Sequence, residues 1–507
     1  MWQKGDFLVP RLNGLPYPHK PPLLFWLIHA GWWAFGVNEW WPRLVPSLFG
    51  LLCLFPLRRV ANILWEDNEK LPCLVSMILM GSILWLAFCT FVMFDLLLSF
   101  FVLVAIVGGV YIITGRQWQG MVLMGLGLGL GTLSKGPVVF VHTLPVLFLF
   151  PWWAQALRRT KSKFIIANYC GAILIGIAIV LAWVIPAIKA GGGEYGDAIL
   201  WGQTAHRVTS SFAHRRPVWW YMPWLPVLLL PWIFFIPMWK TLFLRHNPRT
   251  VLRFCLSWII STLVIFSILS GKQVYYLLPM LPGVALFIAS GLSTQSEVGT
   301  KGTLPFAVFM ALLATGLMLS PIVAKSLPYG THRAWCIAGG SILLGAAAAI
   351  LVLKPRKVLG GVAAILMGSI LSFVITEAVF VKTIGNRYDL RGVARILRAY
   401  EEQGRPVAHT GKYHGQYHFL GRLKEPFQVI RRGQIGAWLA THPKGRVIAY
   451  FRRPPASADW KLLYSHPYRG KTLVILGLRH SKTRGVGRGI TDRCLRDRRL
   501  TQRARTS

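Results

Sequence analysis

Phe94-Asp95-Leu96-Leu97-Leu98-Ser99-Phe100-Phe101-Val102-Leu103-Val104-Ala105-Ile106-Val107-Gly108-Gly109-Val110-Tyr111-Ile112-Ile113-Thr114 is an apolar run with a single ionisable group near its start. A helix needs about 20 predominantly apolar residues to cross a bilayer core, so 94–114 reads as one membrane span entered at Asp95. An ionised carboxylate facing lipid would cost several kcal/mol. Asp95 therefore caps the helix at a turn between spans, faces a cavity or a partner, or does both at once.

Runs of the same kind extend on both sides. To the N-terminal side they are 42–60 and 72–91; after 94–114 come 117–134, 137–156, 164–186, 219–241, 251–270, 273–291, 304–324, 334–353 and 358–378. That makes twelve candidate spans over residues 42–380, in a chain of 507 residues with 54% hydrophobic and only 14% charged content. The chain is therefore expected to be an α-helical polytopic membrane protein. Lys and Arg number 56 against 17 acidic residues, a balance that would suggest nucleic acid in a soluble protein. Here the basic residues sit in short clusters between apolar runs, as orientation signals and anionic-lipid contacts require, and nucleic acid is excluded as a partner. The seven cysteines show no CxxC or metal-ligand spacing, which argues against disulfides and structural zinc.

Short cytoplasmic loops are rich in Lys and Arg. Arg58-Arg59, Arg116, Arg158-Arg159 with Lys161 and Lys163, Lys240 with Arg245 and Arg249, and Lys354 with Arg356-Lys357 fall in alternate loops. The opposite parity then faces outward: residues 1–41, Asp95, Lys135, the loop 187–218, Lys272 and everything after the last span. Within 1–41, residues 23–37 are apolar but short, and read as an interfacial helix; a crossing there would flip the parity upstream. Residues 381–480 return to soluble composition. A helical period from Tyr388 to Tyr400 and apolar runs at 406–408, 427–430, 446–450 and 473–476 predict a small C-terminal α/β domain. Residues 481–507 are arginine-rich and lack an apolar pattern, as expected of a disordered tail.

Several positions could carry chemistry. Gly14-Leu15-Pro16-Tyr17-Pro18-His19-Lys20-Pro21-Pro22 is a proline-stiffened loop in which Lys20 is held extended ahead of two prolines, a positioned cation at a membrane surface. Lys135, before Gly136-Pro137, is either a snorkelling residue that ends a span or a cation lining a cavity. The loop 201–221 gathers His206, Arg207, His214, Arg215 and Arg216 with tryptophans and hydroxyls, suited to a lipid phosphate through charge-assisted hydrogen bonds or to a solvated surface. Lys272, Tyr275 and Tyr276 repeat that theme at a span entrance, where tyrosines also serve as an ordinary aromatic belt. Together these are outward-facing cations around an intramembrane carboxylate, the arrangement needed to handle a lipid-linked phosphate.

The order of Arg11-Leu12-Asn13-Gly14, His19-Lys20-Pro21-Pro22-Leu23, Asp95, Ser134-Lys135-Gly136-Pro137, His206-Arg207, His214-Arg215-Arg216-Pro217 and Tyr276-Leu277-Leu278-Pro279 resembles the bacterial aminoarabinose transferase and protein mannosyltransferase superfamily over roughly residues 5–290. The resemblance implies a GT-C type membrane glycosyltransferase whose periplasmic cavity takes a sugar from a polyprenyl-phosphate donor. The sugar would pass to a periplasmic acceptor such as lipid A, another glycan or a protein. By that similarity Lys20, Arg207 and Tyr276 hold the lipid phosphate and Lys135 lines the same cavity, with Lys272, His206 and Arg215 as further cationic candidates. His19 stands where the family has a glutamate linked to a divalent metal; imidazole also ligates zinc, so no cofactor is fixed and a metal stays open. The family's catalytic aspartate belongs to a segment upstream of any residue here, which predicts one further N-terminal helix in the natural protein and leaves Asp95 a supporting role. The rival class is a transporter or flippase for lipid-linked or anionic solutes, but neither half-to-half symmetry nor charges spread over several helices is visible in the sequence.

Overall fold

A computed structural model describes residues 1–199, 216–241, 249–299, 301–323, 333–453 and 459–479. His206, Arg207, Arg215 and the basic tail lie outside the described residues. The chain divides into two compact units, Met1–Asn386 and Arg387–Ser507.

The first unit is helical and multi-pass. It opens with a two-stranded hairpin, β1 (Arg11–Leu12) and β2 (Leu15–Pro16), turned by Asn13 at φ 52° and Gly14 at φ 84°. Asn-Gly is the pair best able to hold two successive left-handed residues. Helix α1 (Leu23–Phe35) follows, about 20 Å long at 1.5 Å per residue and so shorter than a bilayer core. Then come α2 (Trp41–Leu52), α3 (Leu54–Leu64), α4 (Leu71–Gly81), α5 (Ile83–Thr90), α6 (Asp95–Ile113), α7 (Gln117–Lys135) and α8 (Val138–Phe148). Beyond them run long helices at Ser162–Gly191, Arg249–Ile268, Leu281–Ser293, Leu304–Val323, Arg333–Leu353 and Val358–Ile384.

Among the described residues eight helices are long and apolar enough to cross a membrane, or nine if α4 and α5, bent by 63°, form one span. The twelve segments expected from the sequence differ from these at identifiable places. Segment 219–241 carries Pro223, Pro226, Pro231 and Pro237 and breaks into short turns at Val218–Trp224, Leu225–Leu228, Trp232–Phe234 and Ile236–Thr241. Proline removes a helical donor and clashes with the preceding turn. Segment 137–156 stops its helix at Phe148, followed by a separate turn at Phe150–Trp153 with Pro151 as its second residue. Helix α7 equals α6 in length but falls outside the eight, because Gly120, Gly125, Gly127, Gly129 and Gly131 dilute its hydropathy.

Those glycines set how α7 packs. A Cβ on Gly127 would stand 2.5 Å from the Ala105 backbone nitrogen, one on Gly120 would stand 2.5 Å from the Gly108 carbonyl oxygen, and one on Gly108 would meet the Met124 nitrogen at 2.3 Å. The α6 and α7 backbones therefore touch, as small residues permit in lipid, where no hydrophobic force draws helices together. Residues 114–116 connect the two helices, so the hairpin brings the start of α6 beside the end of α7.

The second unit is an α/β domain with a five-stranded sheet in the order β4-β3-β5-β7-β6. Its strands are β3 (Val407–Thr410), β4 (Gln428–Ile430), β5 (Arg446–Phe451), β6 (Trp460–Tyr468) and β7 (Lys471–Leu478). Strands β4, β3 and β5 are parallel, while β7 is antiparallel to both β5 and β6. Val393 and Leu397 of the amphipathic helix Arg391–Glu402 pack on one face with Tyr413 and Tyr417, and Trp438 and Leu439 of Ile435–Thr441 cover the other. Strand β6 is absent from the sequence expectation. It is an edge strand that tolerates Pro467 near its end and lacks a buried apolar run.

His409 and His418 lie in this domain. Burial holds both imidazoles below their ordinary value of 6.5, against the raising effect of carbonyl contacts from Gly411 and Glu425. An imidazole depressed in the fold adds stability that is complete above the unfolded value and is lost as pH falls through the folded one. The midpoint of thermal unfolding of the sheet, followed by hydrogen exchange in the full chain, is expected to be level above pH 7 and to fall below about pH 6.5. His409→Gln should flatten that fall, and a profile level down to pH 5 would contradict it.

Candidate functional site

The site grows from the hairpin of α6 and α7. Asp95 is the first residue of α6, where the helix dipole favours an acid, and Lys135 is the last residue of α7, where it favours a base. Helix α7 ends there because Gly136 adopts φ 87°, a conformation that L side chains rarely adopt, while its N–H still donates to the Thr132 carbonyl at 2.7 Å. Pro137 then leads into α8. Lys135 Nζ donates to Asp95 Oδ1 in an ion pair whose side chains are 9% and 1% exposed. Asp95 Oδ2 is equally buried and has no hydrogen-bond partner among the described residues. A buried carboxylate oxygen left unmatched is costly, and here it is acceptor capacity open to a hydroxyl.

Two aromatic rings cover the ammonium. Lys135 Nζ lies 4.8 Å from the centroid of Tyr275 and 5.0 Å from that of Tyr276, within cation–π range. Both tyrosines stand on the 3-10 turn Val274–Met280, anchored by the Tyr221 hydroxyl, which donates to the Gln273 carbonyl at 3.2 Å. On the other side Lys20 Nζ sits 5.0 Å above the ring of Phe94, the residue before Asp95. The hairpin loop carrying Lys20 is held from beneath. Asp6 accepts from the Leu8 and Val9 N–H groups at 3.1 and 3.3 Å and from Arg11 Nε at 3.3 Å. Burial opposes ionisation of Asp6, but these bonds outweigh it and hold its carboxyl below the ordinary 3.8. Trp26 and Trp183 indoles donate to the carbonyls of Phe7 and Leu8 at 2.7 and 3.0 Å.

Asp95, Lys135 and Tyr276 therefore meet directly, with Lys20 joined to them through Phe94. Lys272 has other partners. It is buried, and its ammonium donates to the carbonyls of Leu269 at 2.5 Å and Arg216 at 3.0 Å, with burial holding it below the ordinary 10.5. It borders a cavity of about 400 Å³ shared with Arg216 and Ser270. His19 is exposed, with its ring 5.2 Å from Tyr17. Among the described residues no group of three or more His, Cys, Asp and Glu side chains could hold a metal ion. His19 thus has no companion ligands there.

Residues to which sequence alone assigns no role beside Asp95 also belong here. Tyr275 reads in sequence as a belt tyrosine, yet it shares Lys135 with Tyr276. Phe94 carries Lys20. His142 on α8 is 1% exposed and faces the Tyr276 backbone, and its ring lies 5.1 Å from Phe266, itself 5.9 Å from Tyr276. Its signal was an imidazole inside the apolar run 138–148, the kind of intramembrane ionisable residue that marks a site.

Residues 4–190 match the dolichyl-phosphate-mannose-protein mannosyltransferase family, a stretch that contains Lys20, Asp95 and Lys135. The undecaprenyl phosphate-alpha-4-amino-4-deoxy-L-arabinose arabinosyl transferase of Serratia proteamaculans is 30% identical over 304 residues, which are 57% of this chain and 52% of that protein. The enzyme of the same description from Yersinia pestis is 26% identical over 298 residues, with the same two shares. The chain thus spans about half the length of the curated relatives it matches. Two crystal structures of ArnT from Cupriavidus metallidurans share the fold at 19% identity, covering 94% of this chain and 91% of theirs. The one bound to undecaprenyl phosphate has a TM-score of 0.73 and the apo form 0.72.

Proposed function

We propose that this chain, which matches the mannosyltransferase family over residues 4–190 and an arabinosyl transferase over 304 residues, is a membrane glycosyltransferase that moves a sugar from polyprenyl phosphate to an acceptor hydroxyl. The observation that carries this reading is the buried Asp95–Lys135 pair, with two rings on its cation and one carboxylate oxygen unmatched. In the reaction the bond between the anomeric carbon and phosphate oxygen breaks, the acceptor oxygen bonds to that carbon, and a base takes the hydroxyl proton. Polyprenyl phosphate leaves as an anion. Lys20, held over the Phe94 ring next to Asp95, meets its charge, as a fixed cation stabilises charge while it develops. Asp95 is the supporting carboxylate: Oδ1 fixes Lys135 and Oδ2 holds a hydroxyl of sugar or acceptor, which orients the reacting atoms.

The site is proposed to face the periplasm of a bacterial inner membrane, with lipid A, another glycan or a protein as acceptor. Arg207, Arg215 and His206, outside the described residues, and Lys272 through the 400 Å³ cavity are further candidates for the lipid phosphate. The transport reading falls behind, because the relatives are named as transferases. Transfer from labelled polyprenyl-phosphate sugar tests the proposal. Lys20→Ala is expected to lower it roughly 10- to 100-fold, the worth of one charge-assisted contact. Unchanged transfer in both Lys20→Ala and Lys135→Met would remove the phosphate site.

A further inference from the structure

A second cationic hollow lies in the C-terminal sheet, and nothing in the transferase reading uses it. Parallel strands β4, β3 and β5 are neighbours, and each runs directly into basic residues: β4 into Arg431 and Arg432, β3 into Gly411 and Lys412, β5 into Arg452 and Arg453. Open parallel sheets take up ligands outside the carboxyl ends of their strands, where the exiting loops diverge. Here the exits of β3 and β4 do so: the chain after β3 packs Tyr413 and Tyr417 on one face, and the chain after β4 packs Trp438 and Leu439 on the other.

Strand β3 also stops short of its neighbour β5. Thr410 ends β3 opposite Ile430, whereas β5 pairs Ile448 with His409 and continues to Phe451. A hollow of about 650 Å³ opens at this edge, lined by Thr410, Gly411, Lys412, Arg431, Arg432 and Gln434. Gly411, at φ 76°, donates its N–H to the Ile430 carbonyl at 3.1 Å and turns the chain at the floor. Arg432 reaches from the end of β4 past β3 to β5, where its guanidinium donates to the Tyr450 carbonyl and stacks 4.6 Å from the Phe451 ring. A guanidinium fixed in this way keeps its other N–H groups in one geometry, the condition for gripping a planar or tetrahedral oxyanion.

None of the ion pairs among the described residues includes Lys412, Arg431 or Arg432. Three of the domain's described carboxylates are engaged with other groups. Asp389 pairs with Arg391, Glu402 with Arg398, and Glu401 accepts from the Lys424 and Glu425 N–H groups at 2.9 and 2.8 Å. Three cations around one hollow repel each other until an anion enters, and the volume exceeds that of a bare phosphate while suiting a small organic group. We propose that this hollow binds a phosphomonoester carried on a saccharide or a lipid headgroup. The proposal does not rest on the transferase reading.

Hydrogen exchange of the full chain in phosphatidylcholine nanodiscs tests it, because peptides over 407–414 and 428–436 report this hollow apart from the membrane unit. Glucose 1-phosphate at ten times its Kd is expected to slow exchange there about tenfold, while glucose has no effect. Lys412→Gln with Arg431→Gln should abolish the protection and leave the β5 amides unchanged, which shows that the sheet is intact. Protection by phosphatidic acid in the nanodisc but not by glucose 1-phosphate, with the same sensitivity to the double variant, would support the site and identify a lipid headgroup as its source. No protection by either probe, or protection that survives the double variant, would overturn it.

Discussion

Asp95→Leu is expected to destabilise the protein by about 3–5 kcal/mol and to abolish sugar transfer, whereas Asp95→Leu with Lys135→Met should recover most of the stability and none of the activity. Asp95 is 1% exposed and Lys135 Nζ is its partner, so removing the acid alone leaves a buried ammonium facing the rings of Tyr275 and Tyr276 without its counter-charge. Breaking a buried pair by deleting one member costs about that much, while replacing both members by apolar groups of similar volume is often neutral. The contrast separates a structural role from a functional one. A pair that served only folding would leave the double variant active. Reversible unfolding in mixed detergent, run on all three variants beside the transfer assay, reads both quantities; equal stability of single and double variants would mean that the pair is not coupled.

Gly127→Val is expected to damage the same site without touching it. Its Cβ would stand 2.5 Å from the backbone nitrogen of Ala105, and backbone gives way only if the whole helix moves. Overpacking of this kind costs about 1–3 kcal/mol. The larger effect is on geometry, since a shift of α7 away from α6 carries Lys135 from Asp95, and a misplacement of about 1 Å can lower a rate by about 100-fold. Gly345→Val is the control, because a Cβ there meets nothing within 4 Å. It should leave stability and transfer close to the parent. A Gly127→Val variant as active as Gly345→Val would show that the close approach of the two helices does not position the site.

The parts of this architecture differ in how far they can be read from sequence. Helix α6 was legible in full, because length and hydropathy against a bilayer are local properties. The C-terminal strands were legible as apolar runs, but β6 was not: on a sheet edge it buries little and alternates weakly. The proline-rich 219–241 segment reads as a span by hydropathy and fails as one through backbone donors, which a hydropathy sum does not count. At the site, Asp95, Lys135, Lys20 and Tyr276 each stood out as polar groups in apolar or proline-stiffened surroundings. Their meeting did not, and neither did the share of Tyr275 in it.

Sequence alone determined that this chain threads a membrane many times, carries a small α/β domain after its last span, and holds an acid and several cations at span ends. These follow from the free energy of moving each segment into hydrocarbon, a sum over neighbours in the chain. Tertiary structure alone decided which charges meet. Asp95 and Lys135, 40 residues apart, become an ion pair because two helices of equal length fold back over a short turn and their glycines let the backbones touch. Lys272 turns to two carbonyls instead, because the helix before it ends at Ile268 and leaves the Leu269 and Arg216 carbonyls within its reach. Burial and distance, which set the strength of every charge interaction, are made by surfaces far apart in sequence, and only packing brings them together.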